Sequence, residues 1–121
     1  TGRYGESGIR EVDRATGRVL RSALLDATWF GEGLTSLGDD RAIQLTWKAG
    51  RAVVWNLATL SEVDVLTYGG QGWGLCRLGE AGPDGAANSL VMSDGSDHLT
   101  FRNLDLTRSG DIAVRLDGRP V

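Results

Sequence analysis

Apolar and polar residues alternate in short runs along this chain, and Gly, Asp or Asn breaks the pattern every several residues. Apolar residues at helical spacing are rare, whereas period-two alternation is the signature of half-buried strands. The pattern predicts strands over residues 8–13, 19–24, 34–37, 42–46, 52–56, 63–68, 75–78, 89–93, 99–103 and 112–116. Between them, Asp13-Arg14-Ala15-Thr16-Gly17, Gly38-Asp39-Asp40 and Lys48-Ala49-Gly50 carry the residues of tight hairpin connections. The prediction is an all-β meander.

The pattern also repeats. Gly31-Glu32-Gly33-Leu34 returns 41 residues on as Gly72-Trp73-Gly74-Leu75, and Leu37-Gly38 returns as Leu78-Gly79 at the same spacing. Ile43-Gln44-Leu45-Thr46-Trp47 answers to Leu90-Val91-Met92-Ser93-Asp94 at 47 residues, the difference falling in a Gly/Ala/Pro-rich loop at 80–88. Upstream, Asp13 and Thr16 map onto Asn56 and Thr59 at 43 residues. Four short strands recurring every ~40–45 residues is the period of a propeller blade. The expected organisation is a partial β-propeller: a trailing half-blade at 1–28, a blade at 29–70 and a blade at 71–121. A closed ring needs about four to eight blades, so a fragment of a larger propeller is expected.

Neighbouring strands of a meander run antiparallel, so the start of the first strand and the end of the second lie at one end of a blade. Glu32 and Trp73 precede first strands, while Trp47 and Asp94 follow second strands; Tyr4 aligns with Trp47. These side chains are therefore expected at one mouth of the central channel. Glu32 stands between two glycines behind Trp29-Phe30. Glycines allow another backbone or a ligand to come close, and an aromatic surround favours a carboxyl in its neutral form. Trp55, in mid-strand between Val54 and Asn56, reads as core; Trp29 fits either role. Asp94, in Ser93-Asp94-Gly95-Ser96-Asp97, either shapes a turn or contributes to binding.

Composition narrows the chemistry. At 121 residues and 40% hydrophobic, the chain can bury one modest core. A net charge of −3 with no basic run argues against nucleic acid as a partner. No apolar stretch is long enough to span a membrane as a helix, and no signal peptide is recognisable within these residues. The lone Cys76 excludes an internal disulfide and reads as a small buried filler. With His98 the only histidine, a His-rich zinc site has no ligands, and Asp94 with Asp97 lacks most of the oxygens of a calcium loop. No metal site is expected.

At Phe30-Gly31-Glu32-Gly33-Leu34-Thr35, Gln44-Leu45-Thr46-Trp47, Gly72-Trp73-Gly74-Leu75 and Met92-Ser93-Asp94-Gly95-Ser96-Asp97, the sequence resembles the plant and bacterial type of glutaminyl-peptide cyclotransferase (glutamine cyclotransferase). Thr1-Gly2-Arg3-Tyr4-Gly5 and Ile9-Arg10-Glu11-Val12-Asp13 resemble that family's first blade. The resemblance implies a five-bladed β-propeller with its active site at one mouth. It implies conversion of a peptide's N-terminal glutamine to pyroglutamate with loss of ammonia, and no redox or nucleotide cofactor. Carried over by motif, Glu32 corresponds to the catalytic acid, and Phe30, Trp47 and Trp73 to aromatic pocket positions. Cys76 stands where the family often has Thr; the family's Thr-Gln-Gly-Leu segment would precede Thr1, and its further blades would follow Val121.

In the reaction so implied, Glu32 shuttles a proton while an indole N–H of Trp47 or Trp73 meets the substrate carbonyl. Asp94 joins Phe30, Trp47 and Trp73 as a substrate-binding candidate. Family members act on secreted or exported peptides, so the resemblance implies an extracytoplasmic location. The competing reading is a non-catalytic propeller that binds a peptide or protein at its mouth.

Overall fold

The computed structural model describes residues 2–79 and 89–121. The expected Gly/Ala/Pro-rich loop at 80–88 lies outside them. Among the described residues there is no helix, and every sheet is antiparallel. β1 (Gly8–Val12) pairs with β2 (Val19–Leu24). β3 (Gly31–Gly38), β4 (Arg41–Thr46), β5 (Arg51–Asn56) and β6 (Ser61–Thr67) form a four-stranded sheet in chain order. β7 (Leu75–Arg77), β8 (Leu90–Ser93), β9 (His98–Arg102) and β10 (Arg108–Ala113) form a second, again in chain order. β11 (Arg115–Leu116) and β12 (Arg119–Pro120) close a small hairpin.

The sheets stack through apolar faces, and the central one is buried on both sides. Ile43, Leu45, Ala52 and Val54 pack with Leu90, Met92 and Leu106 of the second four-stranded sheet and its turn. The alternate residues Val53 and Trp55 pack with Ile9 and Leu25 on the other side. This explains why β4 and β5 read as nearly continuous apolar runs. Trp55 is in the core, as its mid-strand position predicts, and its Nε1–H donates to Gln44 Oε1 at 3.1 Å. Trp29 packs against the same cluster. The arrangement is a partial β-propeller.

The 43-residue repeat is physical. Asp13 Oδ1 accepts the N–H groups of Ala15 and Thr16 after β1, and Asn56 Oδ1 accepts those of Ala58 and Thr59 after β5. Arg21 then ties these equivalent corners together, donating to Glu11 Oε2 and to the carbonyls of Ala58 and Leu57.

Two expectations need correction. The strand expected at 112–116 begins earlier, at Arg108, and stops at Ala113; Arg115 and Leu116 turn back through Asp117-Gly118, both at positive φ, onto Arg119 and Pro120. Asp-Gly is the residue pair that such a tight turn demands. Cys76 is exposed, not a buried filler. β7 is the edge strand of its sheet, and the pleat that turns Leu75 and Arg77 toward partly covered surroundings turns Cys76 outward.

Candidate active site

β3 does not run evenly beside β4. Gly31 opposes Thr46 and Leu34 opposes Gln44, so one extra residue is accommodated around Glu32-Gly33. Such a bulge bends the strand and re-aims a side chain. The two flanking glycines are crowded differently, Gly31 by side chains and Gly33 by backbone. A Cβ on Gly31 would meet Gln44 Nε2 at 2.8 Å and Leu25 Cδ1 at 3.0 Å. A Cβ on Gly33 would meet Leu75 N at 2.5 Å and Trp73 O at 2.7 Å. The close approach read from Gly-Glu-Gly is thus made by another stretch of backbone.

That approach closes a circuit. Phe30 O accepts the Trp47 N–H at 2.9 Å, Trp47 O accepts the Gly72 N–H at 2.9 Å, and Trp73 O accepts the Gly33 N–H at 2.7 Å. With the covalent steps 30–33 and 72–73, these bonds ring the end of β3. Phe30, Glu32, Trp47 and Trp73 line a cleft of about 260 Å³ at this point, and its walls are almost wholly apolar. Glu32 is the one ionisable residue among those four, and is itself half-buried. Among the described residues its carboxylate has no hydrogen-bond or salt-bridge partner; its charge is felt by the Tyr68 phenol.

The rings are held from several directions. Phe30 meets Trp47 at a centroid distance of 5.5 Å and Tyr4 at 5.3 Å, and Lys48 Nζ lies 4.0 Å over the Trp47 ring. Trp47 Nε1–H donates to Gln71 Oε1 at 2.9 Å, and Trp73 Nε1–H donates to the same oxygen at 3.0 Å. Neither indole N–H is therefore free for a substrate carbonyl, which corrects that expectation for the resting structure. Gln71 was missed because nothing in strand alternation marks a hydrogen-bond acceptor. Tyr68 was missed too, although it follows β6 at the mouth end, where the rule applied to Glu32 and Trp47 would have put it. Its hydroxyl donates to Thr46 O and accepts the Thr46 N–H at 3.2 Å.

Asp94 is not one of the four lining residues. Its Oδ1 accepts from Ser96 N at 3.0 Å and Ser96 Oγ at 2.6 Å, and the Ser96 hydroxyl is the main cause holding the carboxyl below the usual aspartate range. The turn so formed carries Gly95 at φ +85°, where a Cβ would strike the Trp73 ring at 2.6 Å. Here Asp94 shapes the turn that backs Trp73. Among the described residues no group of His, Cys, Asp and Glu could hold a metal ion.

The sequence model described as glutamine cyclotransferase matches residues 1–121. A glutaminyl-peptide cyclotransferase from Arabidopsis thaliana is 36% identical over 124 residues, covering 100% of this chain and 36% of the relative. The chain thus spans little more than a third of that protein's length. The crystal structure of Myxococcus xanthus glutaminyl cyclase matches with a TM-score of 0.78 at 31% identity, over 94% of this chain and 45% of that one.

Proposed function

The chain belongs to the glutamine cyclotransferase family, and on that premise we propose that the protein carrying it cyclises N-terminal glutamine of peptides to pyroglutamate, with Glu32 as proton carrier. The observation that carries this reading is a single carboxyl set in an apolar aromatic cleft beside Phe30, Trp47 and Trp73.

The substrate's α-amine attacks its own side-chain amide carbon. The new C–N bond closes a five-membered lactam, the old bond to the amide nitrogen breaks, and ammonia leaves. Nucleophile and electrophile belong to one residue, so the cleft has only to select the folded conformer. Glu32 accepts the proton that the amine gives up and returns it to the departing nitrogen. General acid–base work of this kind is worth ~10²–10⁴-fold. The aromatic walls exclude water, which favours closure by the amine over hydrolysis. No cofactor takes part. Peptides bearing N-terminal glutamine are the proposed partners, and the proposed setting, taken from the family resemblance to enzymes of secreted or exported peptides, is extracytoplasmic.

The test is ammonia release and loss of free α-amine from a Gln-initiated dipeptide by the full-length protein. Trp73→Phe, which alters the cleft wall, should lower kcat/KM more than Trp55→Phe, which alters the core. Saturable binding of the dipeptide with no ammonia released would replace this reading with the non-catalytic one.

A further inference from the structure

One amide oxygen, Gln71 Oε1, accepts both indole N–H groups that belong to the cleft, at 2.9 Å from Trp47 and 3.0 Å from Trp73. An indole has a single donor, and an amide oxygen has two lone pairs. Each ring's donor is therefore committed, and the oxygen's accepting capacity is filled. Because both bonds end on one atom, the two ring nitrogens can be no farther apart than the two bonds together allow. Trp47 and Trp73 come from different sheets, following β4 and preceding β7, so this oxygen joins side chains that no strand pairing links.

The backbone around Gln71 is fixed independently. Gly70 has φ +81°, the Gly72 N–H is bonded to Trp47 O, and a Cβ on Gly72 would collide with the Tyr68 hydroxyl and meet Thr46 O at 2.8 Å. Gln71 itself is not among the residues lining the cleft.

We propose that Gln71 is a positioning residue that sets the orientation and separation of Trp47 and Trp73, and through them the width of the cleft around Glu32. This rests on the cyclisation reading only for its kinetic consequence. Gln71 touches no reacting atom. It turns the N–H edges of both indoles away from the cleft, so that apolar ring surface faces the substrate.

Gln71→Met keeps a long side chain and removes the acceptor; Gln71→Glu keeps an acceptor oxygen. Indole ¹H–¹⁵N signals, assigned with Trp47→Phe and Trp73→Phe, are read first. In Q71M the Trp47 and Trp73 signals should move and exchange faster with solvent, while the Trp55 signal, held by Gln44, stays in place. In the full-length protein, kcat/KM should fall by roughly ten- to a hundred-fold, mostly through KM, and Q71E should restore most of it. Unmoved Trp47 and Trp73 signals, or unchanged kinetics in an active enzyme, overturn the proposal. So does a Trp55 signal that moves as much as theirs in both Q71M and Q71A. The indole readout needs no turnover, so a wild-type protein that releases no ammonia refutes the cyclisation reading alone.

Discussion

Tyr68 engages both backbone groups of Thr46, donating to its carbonyl and accepting from its N–H. Burial raises the phenol's pKa above its usual value near 10, opposed by the Thr46 bonds and the Arg102 charge and assisted by Glu32. The folded state thus holds this proton more tightly than the unfolded chain does. The resulting stability is fully present below the unfolded value and is lost as pH rises through the folded one. In Tyr4→Phe, which leaves Tyr68 as the sole tyrosine, tyrosinate absorbance should appear at higher pH when folded than in urea. Adding Tyr68→Phe to that variant should abolish the signal and cost about 1–3 kcal/mol by leaving the Thr46 groups unpaired. At this scale Glu32, Trp47 and Trp73 were legible because strand direction carries them to one end, and Phe30 through the motif that the family resemblance rests on. Gln71 was not, since its role lies in a contact between sheets. Cys76 was misread because apolar neighbours in sequence are not neighbours across a pleat.

At the scale of elements, the bulge in β3 and the bond from Gly33 N–H to Trp73 O put Glu32 among the rings. The two glycines of the repeat are not equivalent. A Cβ on Gly33 would meet backbone of Trp73, Gly74 and Leu75 within 2.9 Å, whereas on Gly74 the nearest atom is Ser93 Oγ at 3.0 Å, at the end of a short side chain. Gly33→Ala should therefore force the two sheets apart at the mouth, costing about 1–3 kcal/mol by overpacking and most of the activity. Gly74→Ala should cost less in both, as urea midpoints and dipeptide turnover would record. Equal losses would show that the approach at Gly33 is not what limits the mouth. Gly-Glu-Gly made the close approach readable, but the register shift is a property of the pairing with β4, which one strand's pattern does not encode. Asp117-Gly118 carries the chemistry of the β11–β12 hairpin turn, a signal that alternation across residues 112–116 hides.

At the scale of the whole molecule, β5 contributes alternate residues to both apolar clusters, Ala52 and Val54 to one and Val53 and Trp55 to the other, so the stack should unfold as one unit. Leu90 is fully buried against Ile43, Leu45 and Met92, and Leu90→Ala should cost about 2–5 kcal/mol. The Trp55 indole signal reports one cluster and the methyl of Met92, the sole methionine, the other. Their urea transitions should coincide in wild type and shift together in the variant; separated transitions would mean the clusters are independent. The stacked architecture was legible from spacing, because the recurring 41-, 43- and 47-residue offsets bring like strands to like places. The central claim is that one carboxyl in the ringed cleft carries the proton. Its most direct test is ammonia release from a Gln-initiated dipeptide by full-length protein with Glu32→Gln, alongside indole spectra matching wild type. The account predicts a folded protein whose turnover falls by at least ~10²-fold; near-wild-type turnover in that variant would contradict it.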